Sequence, residues 1–77
     1  MDTTQKELTY GEKAVGLTFN PSADLNVTRV KEFYAHIIDL LNERKTPGSS
    51  EENRLLSIAI TEAQTAQMWA VKAITWK

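Results

Sequence analysis

The stretch from Ser50 to Trp76 contains no Gly or Pro, and as a helix it is apolar around most of its circumference. One seam, Leu56, Ala59, Ala63, Ala66, Ala70 and Ala73, recurs at spacings of three and four. Leu55, Ile58, Trp69 and Trp76 flank it on one side, and Ile60, Val71 and Ile74 on the other. The small side chains of the seam let helix axes approach toward the short end of the usual range of about 8–10 Å. One partner helix covers one stripe, and this segment presents nearly three.

A partner helix is readable upstream. Val27, Val30, Tyr34, Ile37 and Leu41 form a heptad seam, broadened by Phe33, Ile38 and Leu40. Asn20-Pro21-Ser22 is a turn signal before it, and Ser22 or Asp24 supplies the N-cap. Thr46-Pro47-Gly48-Ser49 breaks the chain after it, short enough to return the next helix antiparallel. That next helix starts after Ser49 or Ser50, with Ser49 and Glu52 spaced as a capping box. Before the turn, Gly11 and Gly16 argue against a stable helix, Leu17-Thr18-Phe19 suits extended chain, and Met1 to Thr9 reads as weakly ordered. The expected fold is all-α: an antiparallel two-helix hairpin with an irregular N-terminal segment. Residues 1–77 form a single domain, with an arm and turn over 1–23, a first long helix over 24–45 and a second over 50–76.

Such a hairpin is short of core. Burying a large apolar side chain contributes roughly 1.5–3 kcal/mol, against a cost of about 1.5 kcal/mol for each ordered residue. The 77 residues contain no Cys, so neither a disulfide nor a thiolate metal site is available as a staple. Assembly into a homo-oligomeric helical bundle is the remaining route.

The net charge of −1 gives no electrostatic case for duplex DNA or RNA. No apolar run reaches membrane-spanning length, and the polar start MDTTQKELTYGEK has no signal-peptide core, so the chain reads as cytoplasmic. His36 is the single His and sits beside the first seam, which suits a partly buried structural role better than catalysis. No carboxylate dyad, phosphate loop or metal-ligand spacing is present, so neither an enzyme nor a cofactor is expected.

Three features suit a ligand. Phe19 precedes a turn that feeds a helix N-terminus, where free N–H groups attract phosphate and an aromatic can stack on a base. The same residue fits a core or hydrophobic-staple position. Lys31, flanked by apolar residues, fits either a phosphate contact or a snorkelling surface lysine. Arg54 and Thr61 share one helix face two turns apart; repeated by symmetry they would surround one ligand, and alone they are ordinary surface residues.

The segment Ile58–Ile74, IAITEAQTAQMWAVKAI, resembles the signature helix of the phage anti-defence sponge hairpin family, through A-x-T, A-x-M-W-A and K-A. That family includes the anti-CBASS sponges and the related hairpin domain of anti-Thoeris sponges. Phe19-Asn-Pro-Ser followed by Val27-Thr-Arg-Val30-Lys31 resembles its upstream part. The resemblance implies a non-enzymatic protein that sequesters cyclic oligonucleotide immune messengers as a homo-oligomer, commonly a hexamer. It implies a cyclic dinucleotide pocket with a stacking aromatic at Phe19 or Tyr10, the turn Asn20, Pro21 and Ser22, and a phosphate-binding Lys31. It further implies a cyclic trinucleotide site at Arg54 and Thr61, and localisation in the infected host's cytoplasm. The competing reading is a structural or adaptor hairpin that binds a protein partner through its apolar helix.

Overall fold

Among the described residues, regular structure consists of three helices: α1 (Tyr10–Val15), α2 (Leu25–Glu43) and α3 (Glu51–Ile74). The structure is a computed structural model and describes residues 7–77, so the expectation for Met1 to Thr9 lies largely outside the described residues.

The irregular N-terminal segment is corrected by α1. Thr9 caps this helix: its hydroxyl accepts from the Glu12 N–H at 3.1 Å, and the Glu12 carboxylate accepts from the Thr9 N–H at 2.9 Å. The two glycines that argue against a helix have other uses. Gly11 is buried, and a Cβ there would lie 2.1 Å from the Ala35 carbonyl oxygen, so only Gly allows α1 this close to α2. Gly16 ends α1 in the left-handed region at φ 63°, and the Leu17 N–H reaches back to the Glu12 carbonyl at 3.0 Å. Leu17 and Thr18 consequently lie in a turn and not in extended chain.

Asp39 fastens α1 to α2. Its carboxylate accepts from the Gly11 N–H at 2.6 Å and from the Thr9 hydroxyl at 2.7 Å. The negative charge also faces the positive end of α1.

The long helices lie close to their expected ranges. Asp24 caps α2, accepting from the Asn26 N–H at 2.8 Å. At α3 the cap is Ser50, which accepts from the Asn53 N–H at 3.0 Å, and the expected Ser49–Glu52 box does not form. Glu52 instead pairs with Arg44 across the turn at 3.1 Å. Asn53 stitches the same turn through Thr46 and the Gly48 carbonyl.

The hairpin core is small. Val15, Ala35, Ile38 and Ile60 are buried together, with Ala14, Leu17, Tyr34, Leu41 and Ala63 packed against them. The α2 seam is rotated from its expected position, because α1 occupies one flank. Lys31, Ala35 and Ile38 lie at the centre and Ile37 is exposed. In α3 the inward positions are Ile60 and Gln67, while Ala66 and Ala73 of the alanine seam face outward. Leu55, Ile58, Trp69 and Trp76 are exposed with them.

Candidate functional site

The site grows out of the C-terminus of α1. Gly16 turns the chain, and the following residues bring the Phe19 carbonyl toward the second turn of α2. Lys31 enters there, only 5% exposed, which corrects the snorkelling reading. Its ammonium donates to the Gly16 carbonyl at 2.9 Å and the Phe19 carbonyl at 2.6 Å. Two of its three N–H donors are used in these bonds. Burial lowers the pKa of this lysine from its ordinary value.

Phe19 is 70% exposed, which rules out a core role within the chain. Its ring centroid lies 5.6 Å from the Lys31 Nζ, within cation–π range. A recess of about 540 Å³ opens on one side of this pair, lined also by Gln64, Gln67 and Met68 of α3. A smaller one of about 220 Å³ lies on the other side, lined by Asn20, Pro21, Ser22 and Val27. The turn residues Phe19 to Ser22 and Lys31 are therefore brought together. Tyr10 is half exposed at the far end of α1 and lines neither recess.

The turn's polar groups are largely committed. The Asn20 amide donates to the Asp24 carbonyl and the Thr28 hydroxyl, each at 3.0 Å. The Ser22 hydroxyl donates to the Asn20 Oδ1 at 2.6 Å and accepts from the Asp24 N–H at 3.1 Å. This network holds Ala23 at φ 60°, a left-handed conformation costly for a residue with a Cβ. The expected phosphate attraction of the α2 N-terminus is also corrected: the Asp24 carboxylate occupies it, so the cations at this corner are Lys31 and Lys13, which both line the larger recess.

Arg54 and Thr61 share a shallow recess of about 300 Å³ on α3 with Ile58 and Glu62. Arg54 grips Glu51 through Nε at 3.0 Å and Nη2 at 2.6 Å, and this pairing holds the Glu51 carboxyl below its ordinary range. An anion at Arg54 has to displace that exposed pair. His36 is exposed on α2 near Arg29, Glu32 and Phe33, contrary to the partly buried role expected. Among the described residues no group of three or more His, Asp or Glu side chains is placed to hold a metal ion.

Sequence reasoning missed Gln67. It is 5% exposed on the inward face of α3, seven residues after the buried Ile60. A polar residue in register with the core was the available signal.

The family model for the Acb2/Tad1 hairpin domain matches residues 12–75. The chain belongs to this family. Its members are the anti-CBASS and anti-Thoeris sponges, a family associated with binding cyclic nucleotide signals. The match starts within α1 and ends at the C-cap of α3, so it spans Phe19, Lys31 and both recesses and leaves out Tyr10. Neither the search of curated proteins nor that of solved structures gave a match. No helix among the described residues is long and apolar enough to cross a membrane.

Proposed function

We propose that this hairpin is a sponge that binds and sequesters cyclic oligonucleotide immune messengers without cleaving them, and so inhibits bacterial anti-phage signalling. One observation carries the reading: an exposed aromatic ring stands beside a buried ammonium at the edge of a recess wide enough for a base. Phe19 stacks on the base of a cyclic dinucleotide, and the free donor of Lys31 meets a phosphate oxygen. Asn20, Pro21 and Ser22 form the adjoining wall. Tyr10 acts only if a copy of the chain brings it to a neighbouring recess.

The working form is a homo-oligomer, a hexamer by the family's habit, in the host cytoplasm. The exposed Leu55, Ile58, Trp69 and Trp76 support assembly, because apolar surface of this extent on a small chain is stabilised by cover. Arg54 and Thr61, repeated about a symmetry axis, take a cyclic trinucleotide once Glu51 releases the guanidinium. Sequestration is by mass action, so no general acid or base is required.

Calorimetric titration with cyclic di- and trinucleotides tests this reading. Phe19→Ala removes dinucleotide binding and leaves the assembly mass unchanged, while Arg54→Ala spares that site. Messenger extracted after heat denaturation is recovered intact. Absence of heat with every cyclic nucleotide, or recovery of linear products, contradicts the proposal.

A further inference from the structure

A buried amide is expensive to leave without a partner, because it gives up its bonds to water. Gln67 is in this position. It is 95% buried, its side chain has no hydrogen-bond partner among the described residues, and it lines the larger recess together with Phe19, Lys31 and Met68. Gln64, one turn earlier on the same face, lines the recess as well and is likewise without a partner among the described residues. A leucine or methionine at residue 67 would continue the core register begun by Ile60 without this cost, so the amide is kept in the recess against the interest of folding.

We infer that Gln67 is the base-reading residue of the sponge: its amide pairs with the edge of the nucleobase that stacks on Phe19, with Gln64 as the second polar contact. The inference rests on the cyclic-nucleotide reading and adds to it the part of the ligand that is recognised. A carboxamide presents an acceptor beside a donor, which complements a base edge carrying a donor beside an acceptor. The N6 amino group and N7 of adenine are the usual partner for Gln. A phosphate offers acceptors only and would leave the amide oxygen unpaired, so the phosphates belong to Lys31 and the base to Gln67. Stacking on Phe19 tolerates any base; the amide adds a requirement for a correctly presented edge.

Gln67→Met tests this, since Met keeps the length and volume and removes the amide. Two properties are measured on the intact protein. In the ligand-free state, Tm is expected to stay level or rise by about 4 °C, with the assembly mass by native mass spectrometry unchanged. Affinity is then measured for whichever of cyclic di-AMP, cyclic di-GMP and cyclic GMP–AMP the parent binds most tightly, and it is expected to fall about tenfold or more. A drop in Tm overturns the inference by showing that the amide has a partner inside the fold. Loss of assembly overturns it by making Gln67 an interface group. Unchanged affinity overturns it while leaving the sponge reading standing. If the parent binds none of the three dinucleotides, this inference fails with the dinucleotide site, and the sponge reading fails with it only when cyclic trinucleotides give no binding either.

Discussion

The corner made by α1, the turn after it and the start of α2 closes on itself through polar bonds, whereas the outer face of α3 is apolar and uncovered by the described residues. Asp39 ties down Thr9 and Gly11, Lys31 ties down Gly16 and Phe19, and the Asn20–Ser22–Asp24 network holds the turn. On α3 Trp69 is 66% exposed, and just past its C-cap Trp76 is 73% exposed, with Ala66 and Ala73 exposed near them. The first region is finished within one chain, and the second is left open by the described residues. In the proposed sponge, the corner presents the ring that stacks on a base, and the open face presents the surface through which copies assemble. Damage at the Phe19 ring should therefore leave assembly intact, whereas loss of assembly should take ligand binding with it.

Gly11→Ala is the severest way to break the corner. Its methyl would collide with the Ala35 carbonyl, so α1 has to undock, at a cost of about 3 kcal/mol, measurable by urea denaturation. A cost below 1 kcal/mol would mean that α1 contributes little to the fold. The open face is probed by Ala66→Phe. Within one chain the added ring points outward and leaves helix content unchanged. Between copies it blocks close approach, so sedimentation should show assembly weakened by at least about tenfold, equivalent to about 1.4 kcal/mol. Ligand binding should be lost along with the assembly. Unchanged sedimentation would place the interface elsewhere.

Smaller changes sharpen the comparison. Ala23→Gly relieves a left-handed backbone, worth about 1–2 kcal/mol, and loses about 0.4–1 kcal/mol through the freer unfolded chain. The net expectation is a gain of about 0.5 kcal/mol in denaturant unfolding, with assembly unaffected. The smallest effect is the pH response of Lys31. Its folded pKa is lowered, so the folded chain releases this proton before the unfolded chain does. Between the lowered pKa and the ordinary lysine value of 10.5, stability contributed by this residue rises with pH. Ligand affinity falls over the same window, because the ammonium is being neutralised. Calorimetry and thermal unfolding across this range should therefore move in opposite directions; parallel movement would exclude Lys31 as the phosphate contact.

The two regions also differ in how far they were legible in the sequence. The α3 face declares itself through periodicity, which is local information: Leu55, Ile58, Trp69 and the alanines share a helix whatever covers them. The turn positions and both long helices are readable for the same reason. The corner depends on contacts between residues far apart in sequence. Gly11 looks like a helix breaker until Ala35 is seen against it, and Asp39 looks like a solvated acid until Thr9 and Gly11 bond to it. Lys31 shows the same limit. Its flanking residues suggest a surface lysine, and only the folded turn brings the Gly16 and Phe19 carbonyls to its ammonium. Phe19 moved the other way, from a core candidate to an exposed ring, because the Gly16 turn directs the following chain over the recess and not into the core.

Native mass spectrometry of the protein alone and after mixing with a pool of cyclic di- and trinucleotides tests the central claim most directly, since it reads assembly and ligand in one spectrum. The expected result is a closed oligomer that gains the mass of intact cyclic nucleotides in whole-number stoichiometry. An 8.7 kDa monomer, or an oligomer that takes up no nucleotide, would contradict it.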